Sequence, residues 1–122
     1  MYDHDHGAHA IYLSRERWAA DPDGLINQVH YSDAAAAVVS ALRRPSGGET
    51  LLVADDLPMS RSDICRAALR LPTYRHLQLP IFNGGAGGIG GKVCDSSRTR
   101  SVLEWQPRYR TFEHFVDQEC DE

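Results

Sequence analysis

The chain has 122 residues, of which 42% are hydrophobic and 25% charged, and a formal net charge of −4. That is the make-up of one ordinary domain, long enough to bury about 65% of the surface its unfolded form exposes. The acidic balance excludes the basic stripe of a nucleic-acid or anionic-membrane binder, and no apolar run reaches the roughly 18 residues of a membrane span.

Residues 1–10, rich in His, Asp and Gly, read as a flexible lead-in, with a domain over 11–117 and a tail over 118–122. The opening Met1-Tyr2-Asp3-His4-Asp5-His6 is polar and acidic, unlike the basic-then-apolar start of a secretion signal. Residues 11–20 predict a short helix around Trp18. Asp21-Pro22-Asp23-Gly24 is a turn, because Pro fixes φ, Gly tolerates φ > 0 and Asp bonds its own backbone. Residues 25–30 then read as a short strand. A helix follows from Tyr31 or Ser32 to about Arg44, carried by an alanine-rich run with Asp33 in its first turn and Arg43-Arg44 in its last. Ala35, Val39 and Leu42 share one face of it.

Thr50-Leu51-Leu52-Val53-Ala54 is the best strand, apolar without alternation and so expected to be covered on both faces. Asp55-Asp56-Leu57-Pro58 turns the chain. Ser60 to Asp63 has the spacing of a capping box, and Ile64, Ala67, Ala68 and Leu71 form a helical stripe ended by Pro72. Residues 73–91 are loop-like. Asp95-Ser96 caps a short helix to about Leu103, and Thr111 caps a last one through Val116. Mixed strands and helices place the chain in the α/β class, as a small mixed α+β domain.

Cys65, Cys94 and Cys120 are widely spaced without a C-x-x-C, which reads as free thiols in a reducing, soluble compartment, the cytoplasm or a plastid stroma. The only lysine is Lys92. His4, His6 and His9 with Asp3 and Asp5 are closely spaced metal-ligand types, but on a mobile lead-in they read as a tag-like segment, and no metal site is expected. The arginines at 98, 100, 108 and 110 are of a type that grips phosphate or carboxylate, or else form a solvated face. No G-x-S-x-G nucleophile motif is present.

The run Asn83 to Gly90 fits G-x-x-G-x-x-G, with Gly84, Gly87 and Gly90 in the glycine positions of a dinucleotide cradle. That chemistry needs a strand before, a helix after and an acid about 20 residues on. Here Pro80 weakens the strand, Lys92 to Arg100 has no apolar helical face, and Arg108, Tyr109 and Arg110 stand where the acid belongs. A surface loop is the favoured reading and a dinucleotide site the alternative.

The order of segments resembles a known family. Ile26 to Ala35, with His30, Asp33 and the small residues after it, resembles the strand-and-helix segment of extended short-chain dehydrogenases, the NAD-dependent epimerase/dehydratase family. Thr50 to Pro58 resembles its Y-N-V-x-D-x-x-P turn. Lys92 to Pro107 is similar to its tail, which runs from K-x-x-N-S to L-G-W-x-P, and Arg108-Tyr109 and Thr111-Phe112 continue it. The resemblance spans about residues 7 to 117 and implies the C-terminal substrate-binding part of such an enzyme, without its Rossmann domain.

The resemblance implies NAD(P) for the full-length family and none for this chain alone. It also implies a nucleotide-sugar-like substrate, and as partner a Rossmann domain or a self-association partner meeting the alanine face of helix 33–44. The family's Tyr-x-x-x-Lys pair would need a tyrosine at position 88, which is Gly88, so no catalytic residue is assigned. Asn27, His30 and Lys92 are the expected substrate-cleft residues, with a turn hydrogen bond, a packed imidazole and a solvated charge as their structural alternatives. Glu104 stands where the family has a glycine after the helix, so that helix is expected to end differently.

Overall fold

The structure, a computed structural model, describes residues 1–44, 47–84 and 91–121. Helix α1 (Ala8–Tyr12) is followed by β1 (Arg17–Trp18), β2 (Leu25–Ile26), α2 (Tyr31–Leu42), β3 (Met59–Ser60), α3 (Arg61–Ala68), β4 (Ile81–Phe82), α4 (Ser97–Leu103) and α5 (Phe112–Cys120). The strands form two short ribbons. β1 runs parallel to β4, with Arg17 opposite Ile81, and β2 runs antiparallel to β3, with Leu25 opposite Ser60.

Local capping chemistry sets the helix starts. The His30 ring accepts the Ser32 amide for α2, Ser60 Oγ accepts the Asp63 amide for α3, and Thr111 Oγ1 accepts the His114 amide for α5. Each cap occupies one of the orphan amides of a first turn. The expected turn at 21–24 is present, with the Gly24 amide on the Asp21 carbonyl at 3.2 Å.

Most of the core lies between the N-terminal segment, α3 and α5. Ile64, Cys65, Ala67, Ala68 and Leu71 meet Phe112, Phe115 and Val116, with Tyr2 and Leu13 among them. A second, thinner core joins α2 to α4 through Val29, Ala37, Leu103 and Trp105, with Leu51 and Val53 packed against it.

Several expectations are corrected. Residues 1–10 are part of the packed fold: Tyr2 and His9 are fully buried, and the Tyr2 backbone bonds Val29 and Tyr31 at 3.1 and 2.9 Å. Gly7 permits this, since at φ 128° a Cβ there would lie 2.6 Å from Tyr2 Cβ. The helix expected around Trp18 is a strand, because residues 17–18 pair with 81–82 far along the chain; the local helix lies earlier, in α1. The strand expected over 25–30 is confined to β2, since its partner β3 offers two residues only.

Thr50 to Ala54 is extended but enters no ladder. Among the described residues none of its backbone groups bonds another backbone group; side chains take its carbonyls instead, Thr99 Oγ1 on Leu52 and Ser96 Oγ on Ala54. One face, through Leu51 and Val53, meets the second core, and Leu52 on the other is exposed. On α2 the face shared by Ala35, Val39 and Leu42 is exposed, with Val38 beside it, and Asp33 and Ala37 point inward.

Helix α4 ends in the conformation its residue disfavours. Glu104 adopts φ 50° and ψ 44°, the left-handed cap of a glycine, and the Trp105 amide reaches back to the Arg100 carbonyl at 3.1 Å. Burial of Trp105, whose indole N–H donates to the Asp33 carbonyl at 3.0 Å, imposes that turn. Glu104→Gly is therefore expected to stabilise the fold by about 1 kcal/mol, a rise of a few degrees in Tm. Thermal unfolding followed by circular dichroism checks it; an unchanged or lower Tm would show that the Glu104 side chain contributes more than its backbone costs.

Candidate functional site

Asn27 and Lys92 come together although 65 residues separate them. Asn27 follows β2, and its side-chain amide holds the backbone of 92–94 from both ends. Nδ2 donates to the Lys92 carbonyl, and Oδ1 accepts the Cys94 amide at 2.9 Å. Asn27 thus positions the segment, and the Lys92 side chain stands exposed on it. Asn27→Ala leaves that carbonyl and amide unpaired, an expected cost of about 1–2 kcal/mol. Hydrogen exchange checks this: the Cys94 amide should exchange roughly tenfold faster than in the wild type, while the helix amides of α3 stay put.

His30 is placed differently. Its ring caps α2, with Nδ1 accepting the Ser32 amide at 3.0 Å, and it packs on Tyr109, Phe115 and Tyr2 with centroids 4.6, 5.1 and 5.2 Å away. Burial lowers its pKa and Asp33 works against that, so a neutral imidazole with a free Nδ1 lone pair is the form that caps. Asp33, read from the sequence only as a first-turn acid, is buried in α2. Its two carboxylate oxygens accept the Arg108 and Tyr109 amides at 2.8 and 3.0 Å, fixing the segment that enters α5.

Of the arginines at 98, 100, 108 and 110, two grip an anion inside the chain and Arg98 and Arg108 are exposed. Asp56 Oδ1 is held by Arg100 Nη2 at 2.6 Å and Oδ2 by Arg110 Nε at 2.7 Å. Burial acts to raise the Asp56 carboxyl, but the Arg110 and Arg100 bonds outweigh it and hold it below the ordinary range. Its neighbour Asp55 is the opposite case. It is 4% exposed, and burial together with the Asp56 charge pushes it up to about 7. In the sequence this acidic pair shows only as a turn, two adjacent acids beside an apolar run.

Two clefts flank the Asp56–Arg100 pair. One of about 280 Å³ is walled by residues 93–97, which continue from Lys92, and one of about 340 Å³ by Gln106, Pro107 and Arg110. A further cleft of about 520 Å³ lies between residues 13–17 and 76–81 and shares no residue with either.

Of the glycine run, Gly84 packs on Ala20, where a Cβ would overlap backbone, and its amide is spent on the Ala20 carbonyl at 2.9 Å. Gly87 and Gly90 lie outside the described residues. Among the described residues no group of three or more His, Cys, Asp or Glu is placed to hold a metal; His6 pairs with Asp3, His4 with Asp5, and His9 is buried. Among them, too, no helix is long and apolar enough to cross a membrane.

No protein-family model matches this sequence, and no curated protein does. Solved structures do. UDP-glucose 4-epimerase from the hyperthermophilic eubacterium Thermotoga maritima, solved with UDP-glucose, superposes with a TM-score of 0.71 at 15% identity, over 94% of this chain and 38% of that one. The Bordetella bronchiseptica enzyme WbmG, solved with NAD and UDP, superposes with a TM-score of 0.67 at 17% identity, over 94% of this chain and 37% of that one. This chain therefore has the small mixed α/β fold of the C-terminal portion of epimerase/dehydratase structures, and it spans well under half the length of either protein.

Proposed function

We propose that this chain is the substrate-binding part of a protein of the NAD(P)-dependent epimerase/dehydratase type, holding an anionic, nucleotide-linked ligand and supplying no hydride chemistry of its own. The observation that carries the reading is the fold shared along nearly the whole chain with a part of two enzymes, one solved with UDP-glucose and the other with NAD and UDP. NAD(P) belongs, in this reading, to a nucleotide-binding half beyond these residues. The Lys92 ammonium is the ligand contact and Asn27 its positioning residue, because Asn27 has both ends of its amide committed to residues 92–94. His30 contributes by fixing the start of α2 beside that strand end.

Titration of UDP and UDP-glucose, followed by amide resonances, tests this. Binding is expected to move the 91–95 amides and the Asn27 side-chain amide, and Lys92→Ala to weaken it up to about tenfold, as for one charge-assisted contact. Uridine nucleotides that leave those resonances still, NADH that binds tightly, or turnover of UDP-glucose by the chain alone would overturn the reading.

A second reading rests on the exposed face of α2, where Tyr31, Val38, Val39 and Leu42 form an apolar stripe, and on the unladdered segment 50–54. A surface of that kind fits the sheet and helices of a nucleotide-binding half, or a second copy of this chain in an interaction protein. Sedimentation velocity separates the two: a concentration-dependent dimer lost in Leu42→Glu favours the second copy, and a monomer at every concentration favours the first reading.

A further inference from the structure

Two buried polar atoms stand without a hydrogen-bond partner on residues linked through the Asp56–Arg100 pair, since Asp55 directly precedes Asp56, and they are complementary once Asp55 is ionised. Asp55 Oδ2 lacks a donor and Arg100 Nε lacks an acceptor. A buried orphan of either kind forfeits the hydration it had when unfolded, so a rearrangement that pairs the two is favoured. The Arg100 guanidinium has a planar fork of donors, able to serve two carboxylates in turn. It is presently bonded to Asp56 through Nη2, and Asp56 would keep a cation without it, because Arg110 Nε holds the other oxygen.

We propose that Asp55 and Asp56 exchange Arg100. With Asp55 protonated, the guanidinium bonds Asp56; with Asp55 ionised, Arg100 turns its Nε–H onto Asp55 Oδ2, and Arg110 alone holds Asp56. The proton leaves to water.

The groups that act on Asp55 set the direction. Asp56 on the same turn and Asp33 on α2 favour the proton staying, while the Leu57 backbone amide, which donates to the Asp55 carboxyl, and Arg100 on α4 favour its loss. The Tyr2 phenol, from the N-terminal segment, is itself pushed up by burial, then by Asp55 and Asp33, and stays neutral throughout. Burial together with Asp56 holds the Asp55 titration near neutral pH, where a modest change in pH moves the exchange.

The exchange acts on the clefts that share Asp56 and Arg100, and one of their walls is the 93–97 segment tied through Cys94 to Asn27. Its consequence for a ligand at Lys92 rests on the substrate-binding reading above; the exchange itself does not.

The test follows the Arg100 Nε–H resonance of the full chain by NMR from about pH 5.5 to about pH 8.5, a window centred on the Asp55 titration. In the wild type it is expected to move downfield as pH rises, with the same midpoint as the Asp55 carboxyl carbon. In Asp55→Asn it is expected to stay still. A resonance that does not move in the wild type, or moves equally in Asp55→Asn, overturns the exchange. If Asp55→Asn does not fold, the wild-type carboxyl carbons decide: the exchange requires the Asp56 carbon to shift with the Asp55 midpoint, and an Asp56 carbon that ignores it overturns the proposal. None of these readouts involves a uridine nucleotide, so failure of the ligand titration leaves them unaffected.

Discussion

Tyr2→Ala is expected to destabilise the domain by about 3–5 kcal/mol, the range for removing a large buried ring, out of a total of roughly 5–15 kcal/mol. The ring is fully buried and meets Phe112, His30 and Phe115 edge-on, with centroids 5.1, 5.2 and 5.4 Å away. It sits where the N-terminal segment, the start of α2 and the buried face of α5 converge, so its loss opens a cavity that three rigid rings cannot collapse to fill. Tyr2→Phe separates the ring from the hydroxyl. That hydroxyl is buried without a partner, so its removal is expected to leave stability unchanged or raise it. Urea unfolding of both variants measures the pair. A Tyr2→Ala midpoint within error of the wild type would show that the first residues do not pack in solution.

That prediction concerns the segment whose sequence was most misleading. Asp, His and Gly at positions 3–7 carry the composition of a tail, and nothing local says that Tyr2 and His9 are buried. Their burial is decided by Phe112 and Tyr74, more than sixty residues away. The readable features were those with a local cause. Ser60 and Thr111 each precede a helix because a hydroxyl beside a polar first turn is a start signal, whereas Ser96 precedes α4 with its hydroxyl spent on the Ala54 carbonyl, and α2 runs as far as its alanine-rich run does.

Pairing was illegible where the partner is distant, as for Trp18 with Phe82, or where none lies among the described residues, as for Thr50 to Ala54. The hydrophobic run at 50–54 states a demand for cover on both faces, and one of those faces is met. At the candidate site, Asn27 and Lys92 were singled out for chemistry and prove to be neighbours, yet only the fold shows that Asn27 holds backbone. Asp33, Asp55 and Asp56 were legible as charges, not as buried ones. Whether a carboxylate ends beside an arginine or inside an apolar pocket is fixed by tertiary contacts that no spacing encodes.

Asp55 converts that difference into a dependence of stability on pH. Burial and the Asp56 charge raise its carboxyl from 3.8 to about 7, so the folded state binds a proton that the unfolded state releases. A group with a raised folded value contributes fully below its unfolded value, and its contribution is lost as pH rises through the folded one. The loss from Asp55 therefore accumulates between about pH 4 and about pH 7 and is complete above. At 4% exposure little solvent screens it, and its size is on the order of 4 kcal/mol. Asp3, Asp56 and Asp95 carry lowered carboxyls and act oppositely, losing their contribution as pH falls. The raw profile of the wild type thus mixes both signs, and the difference between wild type and Asp55→Asn isolates one group. That difference is expected to be near zero at about pH 4, to grow in favour of the variant through neutrality, and to level off above about pH 8. Urea unfolding at stepped pH measures it. A difference that stays flat from acid to alkaline pH would mean that Asp55 is ionised and solvated in the fold, and that its neighbours do not restrain its charge.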